Sequence, residues 1–160
     1  MVELAGFFNV GMRTADLART ERFYTELLGA TVTNRRETPD RRFWLKIAGV
    51  TFEVLEVPAW TPLDEAQQRS RTSIGFVVAP DQVDPIVARL CETGVPVHGP
   101  VLKAAGTSIG VYFSDPDGTP LSLSCNEGYP IEGLERHGLS WVPGPYAWPG
   151  PATKPHITHA

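Results

Sequence analysis

Two cysteines, Cys91 and Cys125, make up the whole thiol inventory of this 160-residue chain. That is too few for a disulfide framework, so both are expected free, in a cytoplasmic protein. No stretch approaches the ~20 consecutive apolar residues of a membrane-spanning helix, and no membrane partner is expected. The start, from Met1 to Asn9, lacks the charged opening and apolar run of a secretory signal. Basic residues are scattered (Arg35-Arg36, Arg41-Arg42, Arg69, Arg71) and the net charge is −4. With no basic stripe, nucleic acid is excluded as a partner. What is present, 42% hydrophobic and 20% charged residues, describes a soluble globular chain. Its length suits one domain or two small repeated modules.

The chain repeats itself. Phe7–Arg13 is strand-like, Thr14-Ala15-Asp16 is a helix start, and Leu17, Thr20, Phe23-Tyr24, Leu27 and Leu28 recur at helical spacing until Gly29. Thr72–Val78 is again strand-like. Pro80-Asp81 then begins a helix carrying Val83, Ile86, Val87, Leu90 and Cys91 until Gly94, with Pro85 tolerated in its first turn. More strand material follows each helix: 30–33, 43–47 and 51–56 in the first half, then 96–98, 109–113 and 120–124 in the second. Ala48-Gly49 and Asp115-Pro116-Asp117-Gly118 supply the hairpin turns. Both halves therefore predict strand–helix–strand–strand–strand, an α+β architecture.

The expected organisation is a first βαβββ module over 1–57, a linker over 58–71, a second module over 72–125 and a C-terminal arm over 126–160. The arm is rich in proline, which forbids regular helix and central strand. It also carries Tyr129, Trp141, Tyr146 and Trp148, so an extended segment packed on the body or on a second subunit is expected, and with it a homodimer.

Asn9-Val10-Gly11-Met12, then Asp16-Leu17, Thr20, Phe23-Tyr24 and Leu28-Gly29, resembles the opening of the vicinal oxygen chelate superfamily. This is the glyoxalase, bleomycin-resistance and extradiol-dioxygenase group. Ile74–Val78, Gly94-Val95 and Phe113-Ser114-Asp115-Pro116-Asp117-Gly118 extend the likeness over about residues 5–125. The resemblance implies paired βαβββ modules whose curved mixed sheets enclose a cleft. It also implies a divalent metal there, held by His and Glu from the first and last strands of each module, and polarising the substrate as a Lewis acid.

At those four positions this chain has Asn9, Glu53, Ser73 and Ser122. One carboxylate, an amide and two hydroxyls hold a transition metal poorly, so no metal and no other cofactor is expected. His98 reads as a surface residue, and His137, His156 and His159 lie in the tail. The four polar residues, with Trp44 and Phe113 as aromatic walls, suit instead a hydrophobic small-molecule ligand. Glu53 is the candidate catalytic acid or base, with pairing to Lys46 or an arginine as the structural alternative. Glu56 falls on the opposite face and reads as solvated. Tyr112 and Tyr24 read as core, and Cys125 as inert. The expected function is a metal-independent enzyme performing isomerase, cyclase or lyase chemistry on a cyclic or aromatic compound. The alternatives are an antibiotic-sequestering protein and a metal-dependent lyase or dioxygenase with rearranged ligands.

Overall fold

The computed structural model describes residues 6–64, 73–103, 108–132 and 134. The chain divides into two compact units, Met1–Pro62 and Leu63–Ala160. The first contains β1 (Val10–Thr14), α1 (Leu17–Arg22), β2 (Thr31–Arg36), β3 (Arg42–Ile47) and β4 (Val50–Glu56). The second contains β5 (Ile74–Val77), α2 (Val83–Glu92), β6 (His98–Leu102), β7 (Ile109–Ser114) and β8 (Pro120–Cys125). Each unit folds its strands into one four-stranded mixed sheet, in the orders β1-β4-β3-β2 and β5-β8-β7-β6. The first strand of each unit pairs parallel to the last, and the other pairings are antiparallel. This is the repeated βαβββ plan of an α+β protein.

Local chemistry sets the element ends. Asp16 caps α1, its carboxylate accepting from Arg19 N at 2.9 Å. The hydroxyls of Thr14 and Thr20, both fully buried, bond each other at 2.8 Å and lock the end of β1 to the helix. α1 runs into one π-helical turn, Phe23–Leu27, that drives Phe23 and Tyr24 inward. Tyr24 is completely buried, its hydroxyl on Met12 Sδ at 3.6 Å and its ring 5.9 Å from that of Phe52. Ala48 and Gly49, at φ of 50° and 80°, make the tight turn between β3 and β4, the positive-φ pair that matches strand twist. In the second hairpin Asp115 organises the turn, its Oδ1 accepting from Asp117 N and Thr119 N at 3.0 and 2.8 Å.

Several expected boundaries shift. β1 starts at Val10 rather than Phe7, leaving Phe7 and Phe8 exposed. The helix expected from Pro80 begins with a short 3-10 turn, Pro80–Gln82. β6 begins at His98 and continues through Gly99-Pro100 to Leu102, where the sequence pattern places only 96–98. Strand pairing there is irregular between His98 and Val101, which lets the strand absorb the proline without a ladder donor. Of the arm, residues 126–132 and 134 are described and form neither helix nor strand. Trp141, Tyr146, Trp148 and the three tail histidines lie outside the described residues.

Candidate functional site

Side chains alternate across a strand, so each sheet has two faces. In the first unit, Met12, Phe43, Leu45, Phe52 and Val54 are buried on the core face. The opposite face carries two rows of cross-strand neighbours. Gly11, Glu53, Trp44 and Asn34 form one; Arg13, Leu55, Arg42 and Arg36 form the other. Asn9, just ahead of β1, joins the first row through its side chain. Its Nδ2 donates to Glu53 Oε2 at 3.0 Å. Arg42 Nη1 donates to the other oxygen, Oε1. Arg42 also reaches Asp40 at 2.5 Å, and Asp40 in turn receives Arg36 at 2.8 Å. The structure thus brings Asn9, Glu53 and Trp44 together and adds an arginine that sequence reasoning left unnamed.

Both partners of the Arg42–Glu53 pair are half-buried, with side-chain exposures of 18% and 23%. The hydrogen bond that Arg42 donates to Glu53 outweighs burial and raises the Arg42 pKa above its ordinary value. Arg42 Nε is buried without a partner, so the guanidinium is held from one edge. Glu56, read from the sequence as solvated, is a correction. It pairs with Arg41 at 2.6 and 2.8 Å, and its side chain is only 16% exposed. Its backbone N–H donates to Arg41 O, which brings Arg41 alongside.

In the second unit the face opposite the core is equally ordered. Gly75, Ser122, Tyr112 and His98 form one row, and Val77, Ser124, Gly110 and Val101 the next. Ser73 precedes β5 and is half-buried. A side chain on Gly75 would meet Ser122 Oγ at 3.1 Å, so the glycine keeps space at that hydroxyl. Phe113, expected to line a ligand site, is instead fully buried beside Leu121 and Val111. Strand alternation gives the open face to its neighbour Tyr112, which the sequence reading placed in the core. Tyr112 stacks on His98 with centroids 6.1 Å apart, so His98 is half-buried rather than a bare surface residue. Lys103, just past β6, donates to Ser124 Oγ and was not singled out in the sequence. Cys125 is buried, its thiol on Glu127 O at 3.2 Å.

The fold implies a divalent metal at the Asn9/Glu53 and Ser73/Ser122 positions, and the donor set does not fit one. In the first unit the amide turns an N–H, not a lone pair, toward Glu53, and a guanidinium occupies the same carboxylate. In the second unit both positions are neutral hydroxyls. Among the described residues no three His, Cys, Asp or Glu side chains gather into a cluster able to hold an ion. Hard or borderline divalent ions need more anionic or imidazole donors than these.

Two βαβββ units of this topology define a glyoxalase-like α+β protein. The chain belongs to the Glyoxalase/Bleomycin resistance protein/Dioxygenase superfamily, whose family model matches residues 6–123. No curated protein matches the sequence. Among solved structures, an integron cassette protein from the mobile metagenome of the Halifax Harbour sewage outfall is 26% identical. That match covers 76% of this chain and 99% of the other, with a TM-score of 0.59. The fosfomycin resistance protein FosX from Listeria monocytogenes shares 21% identity over 78% and 93% of the two chains, with a TM-score of 0.66. FosX from Mesorhizobium loti shares 19% over 76% and 91%, with a TM-score of 0.61. The FosX likenesses are likenesses of fold.

Proposed function

We propose that this chain is a small-molecule enzyme of its superfamily that works without a metal, with Glu53 as the acid or base of an isomerase, cyclase or lyase reaction. The observation that supports it is the Asn9–Glu53–Arg42 constellation beside Trp44. Trp44 and Glu53 are cross-strand neighbours, so a carboxylate with fixed orientation shares its sheet face with an indole on the adjacent strand. That combination suits a cyclic or aromatic compound, apolar in body and presenting one exchangeable proton. Asn9 and Arg42 hold the carboxylate in place, and positioning of this kind is what proton-transfer catalysis needs.

The second reading is a binding protein that sequesters its ligand unchanged. What favours it is that both Glu53 oxygens already accept hydrogen bonds, an arrangement suited to an orienting acceptor. A homodimer in the cytoplasm belongs to either reading. Phe7 and Phe8, 74% and 86% exposed just ahead of edge strand β1, offer the apolar surface such an association would cover.

The deciding experiment pairs binding with turnover. Candidate cyclic and aromatic compounds are ranked by thermal stabilisation of the protein, and the strongest ligand is recovered after incubation and analysed. A chemically altered compound supports the enzyme; complete recovery of unchanged ligand overturns it in favour of the sequestering protein.

A further inference from the structure

The Glu53 carboxylate is flanked from two sides within the first unit. Asn9 reaches it from ahead of β1, its amide donating to Oε2 at 3.0 Å. Arg42 reaches it from β3. It opens that strand as the cross-strand neighbour of Leu55, so its guanidinium meets Glu53 on the diagonal. The other terminal nitrogen of the same guanidinium, Nη2, donates to Asp40 Oδ2 at 2.5 Å. Two carboxylates, one from β4 and one from the β2–β3 connection, therefore converge on one cation.

That cation is built in. Arg42 is half-buried, and its Nε is buried with no hydrogen-bond partner among the described residues. An N–H left in that state costs stability, which sets this pair apart from a casual surface contact. The guanidinium stays charged at every ordinary pH, and its planar fork suits two oxygen anions at once. The local charges also cancel, with Arg36 and Arg42 set against Asp40 and Glu53. Without Arg42 the cluster would be net negative, its two carboxylates facing the vacated space. The Asn9 amide could then turn its oxygen, rather than its N–H, toward an incoming ion. Drawing carboxylates together and neutralising them is also what a bound divalent cation does.

We infer that Arg42 occupies the cation position of the Glu53 site and is the residue that closes it to a divalent metal. The inference rests on the metal-free part of the proposed function and needs no catalytic role for Glu53. A covalently attached cation is not exchanged, not removed by a chelator and not lost when metal is scarce. The first unit thus keeps its carboxylate neutralised and oriented whatever ions surround it.

The test titrates the full chain with Mn²⁺, an ion suited to carboxylate and carbonyl donors, and counts the free ion by electron paramagnetic resonance. Wild-type protein should take up no Mn²⁺ that depends on Glu53. Arg42→Ala should bind about one ion per chain with a Kd of about 10⁻⁴–10⁻³ M, the range of weak oxygen-ligand sites. Arg42→Met keeps the bulk of the stem without the charge. It should bind likewise, and it decides the matter if the alanine variant does not fold. Arg42→Lys retains a cation and should stay closed. Adding Glu53→Gln to Arg42→Ala or to Arg42→Met should abolish the gained binding. Three results would overturn the inference and leave the metal-free reading standing: folded neutral variants that take up no more Mn²⁺ than the wild type, gained uptake that survives Glu53→Gln, or uptake by Arg42→Lys equal to that of the neutral variants. Glu53-dependent uptake by the wild type would overturn the metal-free reading and the inference together.

Discussion

Asn9 and Glu53, 44 residues apart in sequence, are joined by a 3.0 Å hydrogen bond from amide to carboxylate across the parallel pair β1 and β4. Removing the amide with Asn9→Ala should destabilise the chain by about 1 kcal/mol, the usual worth of one such bond. The same substitution made in a Glu53→Ala background should cost measurably less. Denaturant unfolding of the four proteins in that cycle checks the coupling; strictly additive effects would show that the bond contributes nothing.

Glu53→Gln preserves the shape and a hydrogen-bonding group but cannot exchange a proton. In an enzyme, turnover should fall about 10²–10⁴-fold with ligand affinity little changed. In a sequestering protein the same change should weaken affinity, with no rate to lose. Full turnover in the variant would remove Glu53 from the chemistry.

Purified protein should carry no stoichiometric nickel, zinc, iron or manganese. An amide N–H and a guanidinium occupy the one carboxylate, and at the matching positions the second unit has the hydroxyls of Ser73 and Ser122. Elemental analysis finding about one such ion per chain, lost with activity on chelation, would contradict this.

Gly110 and Gly75 provide a graded test of the open face in the second unit. A methyl at Gly110 meets Tyr112 at 2.7 to 2.9 Å, whereas one at Gly75 meets only Ser122 Oγ at 3.1 Å. Gly110→Ala should therefore cost about 1–3 kcal/mol, the range for overpacking, and Gly75→Ala less. Thermal melts of the two variants should rank in that order; the reverse order would refute the placement of the phenol.

Tyr129 donates to Asp84 Oδ1 at 2.6 Å, fastening the start of the arm to α2. Burial first, then this bond, raises the phenol pKa above its ordinary value near 10. A folded-state pKa above the unfolded one means that the contribution is fully present below about pH 10. It is lost as pH rises through the higher folded value. Tyr129→Phe should thus lower stability at neutral pH and flatten its decline in alkali, as followed by unfolding from pH 8 to 11. A decline as steep as in the wild type would show that another group titrates there.

The repeat was legible because its punctuation is local. Asp16, Gly29, Ala48-Gly49 and the Asp115–Gly118 turn each act within a few residues and mark where elements end. The faces of the strands were harder to read. Tyr112 and Phe113 are adjacent and both aromatic, and only the register against Ser122 and Leu121 assigns one to each face. Arg42 carried a usable signal: it lies two residues before Trp44, so alternation puts it on the face of Glu53. Lys103 carried none. Its position follows from β6 running on through Gly99-Pro100, a continuation that proline argues against in sequence.

The parallel pairing of each unit's first strand with its last sets an order of events during synthesis. β1 leaves the ribosome before the rest of its unit yet has no partner until β4 emerges, and β5 waits likewise for β8. Asn9 therefore meets Glu53 only when a long stretch of chain has closed, the slowest kind of contact to form. Any compound held by that pair recognises a finished unit and no fragment of one, and so doubles as a probe of completed folding.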